Sequence, residues 1–141
     1  MTNDHDTDVL HKTLAAYFDA IAAMDPPRIA SLFADNGEIE DPVGTEVAVG
    51  REAVQAYFAR GLGSLRACVV IEVRGVFPSG DSIAAHWSMT AHGRDGREVR
   101  ADGIDVIRVS AQGEIRRAEG YWNAAAFRHA MAEESLPGED A

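Results

Sequence analysis

Apolar residues recur every three or four positions from residue 7 to residue 24. Leu10, Leu14, Tyr17, Ile21 and Met24 fall on one stripe, which predicts an amphipathic helix. Asp25 followed by Pro26 is a helix-start signal, a capping side chain before proline at the first helical position. A second helix is expected over residues 26–33, burying Ile29, Leu32 and Phe33. Asp35-Asn36-Gly37 reads as a turn, followed by a short strand over residues 38–41 that stops at Pro42. Residues 52–60 predict a third helix, with Gly61 and Gly63 as its terminators.

The pattern then changes period. Four stretches rich in β-branched and aromatic residues cover 67–77, 82–92, 98–109 and 114–123. Short turn-like links separate them: Pro78-Ser79-Gly80-Asp81, Arg94-Asp95-Gly96 and Ala111-Gln112-Gly113. A last helix is expected over residues 124–134, then a polar tail. Helices first and a long antiparallel meander after predict an α+β fold, a curved sheet wrapped over the N-terminal helices and enclosing an apolar pocket. Residues 1–6 are expected to fray. The length of 141 residues suits one domain, with a core over about residues 7–134.

Charge narrows the partners. A formal net charge of -10 and scattered arginines argue against nucleic acid, which needs a basic patch. No apolar run reaches the roughly 20 residues of a membrane span. The acidic N-terminus is unlike a signal peptide, and a cytoplasmic location is expected. Cys68 is the only cysteine, so no internal disulfide or cysteine-based metal site is expected. His5, His11, His86, His92 and His129 show no metal-ligand spacing, and no cofactor motif is found.

Within the strand around residue 105, Ala101, Gly103, Asp105, Ile107 and Val109 share one face. That face is apolar except for one carboxyl group. A carboxylate there must pair with a cation or local amides, or take up a proton; pairing is the commoner outcome. Tyr17 lies on the first helix's apolar stripe, as a core tyrosine or a phenol donor. Asp41 ends a strand before Pro42, as ordinary turn chemistry or as a general base. Either His86 or Trp87 faces the interior. Arg100 and Asp102 share the strand face opposite Asp105, as a solvated or dimer-facing pair.

Tyr17, Asp41 and Asp105, in this order and spacing, resemble the bacterial Δ5-3-ketosteroid isomerases of the NTF2-like, SnoaL-like superfamily. The resemblance runs over about residues 9–127. It begins in Leu14-Ala15-Ala16-Tyr17 and passes through Glu40-Asp41-Pro42-Val43-Gly44, Gly50-Arg51-Glu52-Ala53 and Ile104-Asp105-Val106-Ile107-Arg108. It closes on Tyr121-Trp122-Asn123. It implies that Asp41 is the base moving a proton from the α-carbon of a ketone to the γ-carbon. Tyr17 and a protonated Asp105 would hold the dienolate oxygen, an arrangement known from ketosteroid isomerase. It implies no metal or organic cofactor, a small apolar steroid-like ketone as substrate, a role in steroid metabolism, and a homodimer formed through the outer sheet face.

The resemblance places Trp122 on the cavity lining. Strand alternation adds Ala101, Gly103, Ala118 and Gly120, whose small size predicts a roomy pocket. Phe33 and Phe58 stand where further tyrosines would support the phenol of Tyr17. Two other classes remain open. One is another enzyme of the same superfamily, a polyketide cyclase or an epoxide hydrolase. The hydrolase would use Arg100 and Asp102 with a second acid, but Gly120 occupies that acid's position. The other is a non-catalytic domain that binds steroids or similar small ligands.

Overall fold

The structure, a computed structural model, describes residues 4–63, 69–93 and 96–134. Helix α1, Asp4–Ala22, buries Leu10, Leu14 and Tyr17 as the stripe requires, and adds Phe18 and Ala20. It starts earlier than the pattern implied, at residues expected to fray. Its end is abrupt. Met24 takes a left-handed conformation (φ 55°). The amides of Met24 and Asp25 donate to the carbonyls of Ile21 and Ala20, closing a Schellman motif. Asp25 then caps α2, Pro26–Ser31, its carboxylate accepting from the Arg28 amide at 3.2 Å.

Strand β1 spans Phe33–Glu40, β2 is Ala48–Val49, and α3 covers Arg51–Gly63. Asp35-Asn36-Gly37 therefore does not end the chain's extended run. These residues form an irregularity inside β1, whose register against its neighbour shifts between Phe33 and Glu38. A Cβ on Gly37 would lie 2.8 Å from the carbonyl oxygen of Ile115, so only glycine allows this approach. Gly61 and Gly63 lie in the last turn of α3 rather than beyond it. Arg51, at the start of α3, donates to the Phe33 carbonyl (2.7 Å) and pairs with Asp35 and Glu114, fastening the helix to the sheet.

The meander follows as β3 (Val69–Ser79), β4 (Ser82–His92), β5 (Glu98–Val109) and β6 (Ile115–Trp122), and α4 (Ala124–Glu134) closes the order. Residues 67–68, 94–95 and the C-terminal tail lie outside the described residues. One curved sheet results, with strand order β2-β1-β6-β5-β4-β3. All pairings are antiparallel except β1 with β6, which run parallel. Burial follows the two-residue period. Ile83, Ala85, Trp87, Asp105, Ile107 and Ala118 face the helices. His86, Arg100, Asp102, Ile104 and Tyr121 face outward. Trp87, not His86, is thus the interior residue of its pair. No helix among the described residues is long and apolar enough to cross a membrane.

Candidate active site

The concave face of the sheet, α1, α3 and α4 bound a cavity of about 1250 Å³. Asp41 and Asp105 both line it, among Phe18, Phe58, Trp87, Met89 and Trp122. Two pieces of backbone place Asp41. The Glu40 carboxylate accepts from the Gly44 amide (2.9 Å), tightening the Asp-Pro-Val-Gly turn. The Val43 amide donates to the Gly120 carbonyl (2.8 Å), tying that turn to β6. Asp41 is then laid directly over Gly120. A Cβ on Gly120 would fall 2.5–2.8 Å from the atoms of the Asp41 carboxyl group.

Gly120 is also the cross-strand partner of Asp105. Directly opposed residues in an antiparallel pair have Cβ positions roughly 5 Å apart. The carboxyl of Asp41 thus occupies the space a side chain at 120 would fill, one strand spacing from Asp105. Two acids meet over one glycine.

Each acid has its own indole donor. Trp122 Nε1 donates to Asp41 Oδ1 at 2.6 Å, and Trp87 Nε1 donates to Asp105 Oδ1 at 3.0 Å. The two rings meet edge to face, with centroids 5.6 Å apart. Gly103 makes this possible, because a Cβ there would lie 2.5 Å from Trp87 and 2.7 Å from Trp122. Tyr57 adds a third fastening, donating its hydroxyl to the Asp41 carbonyl at 2.7 Å. Sequence reasoning missed Trp87 and Tyr57 as parts of the site. Trp87 was within reach of it, since strand alternation groups it with Ile83 and Ala85. The bond from Tyr57 depends on how α3 docks, which no local pattern encodes.

The environments push the two acids apart. Burial raises Asp41 to about 6, opposed by the Trp122 hydrogen bond. Burial raises Asp105 well above the carboxylate range, the neighbouring charge of Asp41 raises it further, and the Trp87 bond opposes both. Both environments favour the protonated form, and the charge of Asp41 adds to that of burial at Asp105, so Asp41 is the acid that ionises first as pH rises. With Oδ1 of Asp105 accepting from Trp87, Oδ2 is left to carry the proton.

Tyr17 stands behind this pair. It is 0% exposed, is not on the cavity lining, and its ring packs edge-on against Phe33 and Phe58. Burial and then the charges of Asp105 and Asp41 push its phenol up, so it stays protonated. Its hydroxyl has no hydrogen-bond partner among the described residues. A buried donor of this kind is unusual and calls for an explanation.

The remaining lining expectations divide. Phe58 and Trp122 line the cavity. Phe33 is in the core behind Tyr17, and Ala101, Gly103, Ala118 and Gly120 do not line the cavity. The space over Gly103 and Gly120 is filled by the two indoles and by Asp41, so small residues on the sheet are not what makes the cavity roomy. Arg100 and Asp102 do not line it either. Asp102 accepts from Ser88 on the outer face, near His86.

The SnoaL-like domain family matches residues 14–118 of this chain. A steroid Delta-isomerase of Nocardioides simplex is 30% identical over 109 residues, covering 77% of this chain and 85% of that protein. Among solved structures, SalBIII superposes with a TM-score of 0.74 at 26% identity, covering 85% of this chain and 95% of its own. SalBIII is described as an epoxide hydrolase/cyclase-like enzyme in pyran ring formation in the polyether salinomycin. RV0760c of Mycobacterium tuberculosis, in complex with estradiol-17beta-hemisuccinate, superposes with a TM-score of 0.71 at 26% identity, covering 83% of this chain and 95% of its own.

Proposed function

The chain belongs to the SnoaL-like family, and from that premise we propose that it is a steroid Δ5-Δ4 isomerase, moving a double bond into conjugation with a 3-ketone. The observation that carries the reading is the meeting of Asp41 and Asp105 over Gly120, with burial and the neighbouring charge of Asp41 both raising Asp105. The steroid isomerase relative and the steroid bound by RV0760c support the substrate class.

The mechanism follows from the roles the geometry allows. Asp41 as carboxylate removes a proton from the carbon between the ketone and the double bond. The electron pair moves onto the ketone oxygen, giving a dienolate. Asp105 Oδ2–H donates to that oxygen; the Tyr17 hydroxyl, buried behind the acids and off the cavity wall, supplies the second donor once the ketone oxygen seats between Asp105 and the phenol. Fixed donors stabilise developing charge more than mobile solvent does, since nothing has to reorient. Asp41 then returns the proton at the far end of the conjugated system. Proton number and oxidation state are unchanged, so this reaction calls on no redox partner. Trp122 and Tyr57 act as positioning residues that hold Asp41.

A second reading is a cyclase or epoxide hydrolase of the SalBIII kind, favoured by the structural likeness. The placement of Arg100 and Asp102 outside the cavity counts against the hydrolase form. We also infer a homodimer through the outer sheet face, where Val70, Phe77, Ile104 and Tyr121 are exposed; light scattering at micromolar concentration checks it. The activity itself is tested by offering the protein a non-conjugated 3-ketosteroid and an apolar epoxide side by side. Formation of the conjugated enone alone supports the isomerase. Diol or cyclic ether from the epoxide, with no enone, overturns it.

A further inference from the structure

Two arginines line the cavity, Arg60 in the last turn of α3 and Arg128 on α4. Elsewhere Arg51, Arg74, Arg108, Arg116 and Arg117 are engaged with acids, while Arg28 and Arg100, which do not line the cavity, have no acid within 4.0 Å among the described residues. Among the described residues, no acid lies within 4.0 Å of either Arg60 or Arg128. Glu46, which lines the same cavity from the loop before β2, is also beyond that distance. The two arginines share the cavity wall with Asp41, Asp105 and Glu46, and pair with none of them.

Their position relative to the two acids is informative. Both guanidinium groups act on the Tyr57 phenol, opposing the upward push of burial, Asp41 and Asp105. Asp41 and Asp105 are instead governed by burial, by each other and by the two indoles. Arg60 comes one turn after Tyr57 on α3, and neither Asp41 nor Asp105 lies within 4.0 Å of either arginine, so the arginines hold a part of the wall separate from the two acids. The cavity lining is mostly apolar, and its 1250 Å³ exceeds the roughly 300–1,000 Å³ of ordinary small-ligand sites. A neutral ketone held at Asp105 would offer the two arginines no anion.

We propose that the cavity takes an amphipathic acid: an apolar ketone whose far end carries a carboxylate or a similar monoanion, bound by Arg60 and Arg128. The ketone end rests on the isomerase reading above; the anion end rests on the arginines alone. Guanidinium groups suit this task because they stay charged and present planar donors to a carboxylate.

A charge-only comparison tests it without turnover. Estradiol 17-hemisuccinate and its methyl ester have nearly the same shape and differ by one negative charge. Their Kd values are read from quenching of Trp87 and Trp122, which line the cavity. The acid is expected to bind about 5- to 20-fold tighter than the ester at low salt, from two solvent-accessible pairs. Salt should shrink that advantage. The Arg60→Gln/Arg128→Gln double variant should abolish it, with the ester in the same variant as internal reference. Arg108→Gln, an equal change of charge on the outer face, should retain it. Equal affinity for acid and ester in the native protein, or an advantage that survives the double variant, overturns the anion site and leaves the isomerase reading standing. Failure of both ligands to bind removes the steroid reading and the proposal with it.

Discussion

Replacing Tyr17 by phenylalanine is expected to separate stability from catalysis. The hydroxyl is fully buried and has no partner among the described residues, so the folded protein bears its desolvation without a compensating bond. That costs about 1–3 kcal/mol for a neutral polar group. Tyr17→Phe removes the cost and keeps the ring contacts with Phe18, Phe33 and Phe58. The variant should be at least as stable as the native protein, and by about 1 kcal/mol more stable if half of the penalty is recovered. For a chain of 141 residues that is roughly 2–5 °C in Tm. Turnover should move the opposite way. Loss of one oxyanion donor typically lowers kcat by about 10²- to 10³-fold, or roughly 2.7–4 kcal/mol of transition-state stabilisation. Denaturant titration and enone formation are measured on the same preparation. A variant destabilised by more than 1 kcal/mol would show that the hydroxyl is bonded in the native protein. Unchanged kcat would show that it does not serve the reaction.

The other predictions concern the acids and what holds them. With Asp41 raised to about 6, kcat/KM should climb through about pH 6 as the base ionises. Stability should run the other way: a raised acid binds its proton more tightly when folded, so its contribution is complete below about pH 4 and is lost as pH rises through about 6. Paired activity and thermal-melt profiles from pH 4 to 8 check both signs; parallel profiles would falsify the assignment. Gly120→Ala puts a Cβ where the Asp41 carboxyl lies. It should lower kcat by about 10²-fold through displacement of the base, and normal kcat would remove the placement argued for Asp41. Trp87→Phe deletes the donor to Asp105 Oδ1. It should raise the pH at which Asp105 ionises, seen as an upward shift of the alkaline limb of the rate profile; an unmoved limb would deny Trp87 a part in tuning that acid.

Much of this architecture was legible in the sequence because it rests on local periodicity. The stripe from Leu10 to Met24, the Asp25-Pro26 cap and the alternation around Asp105 each follow from one element's geometry. Tyr17, Asp41 and Asp105 were grouped by a family resemblance in their order and spacing, and the structure brings the two acids together, with Tyr17 behind them off the cavity wall. What escaped depends on how elements meet. Asp35-Asn36-Gly37 has turn chemistry, but the close approach of Gly37 to Ile115 spends it on an irregularity within β1. The parallel pairing of β1 with β6 carries no local signature. Gly103 and Gly120 looked like empty lining because their neighbours' side chains could not be placed; those neighbours, Trp87, Trp122 and Asp41, fill the space.

The central claim is that Asp41 carries the proton between the two carbons. Its most direct test follows the absorbance of the conjugated enone formed from 5-androstene-3,17-dione by the native protein and by Asp41→Asn, with steroid binding measured in both. Fast turnover in the native protein, nearly abolished in a variant that still binds the steroid, is the predicted result. Enone formation at the native rate in Asp41→Asn would contradict it.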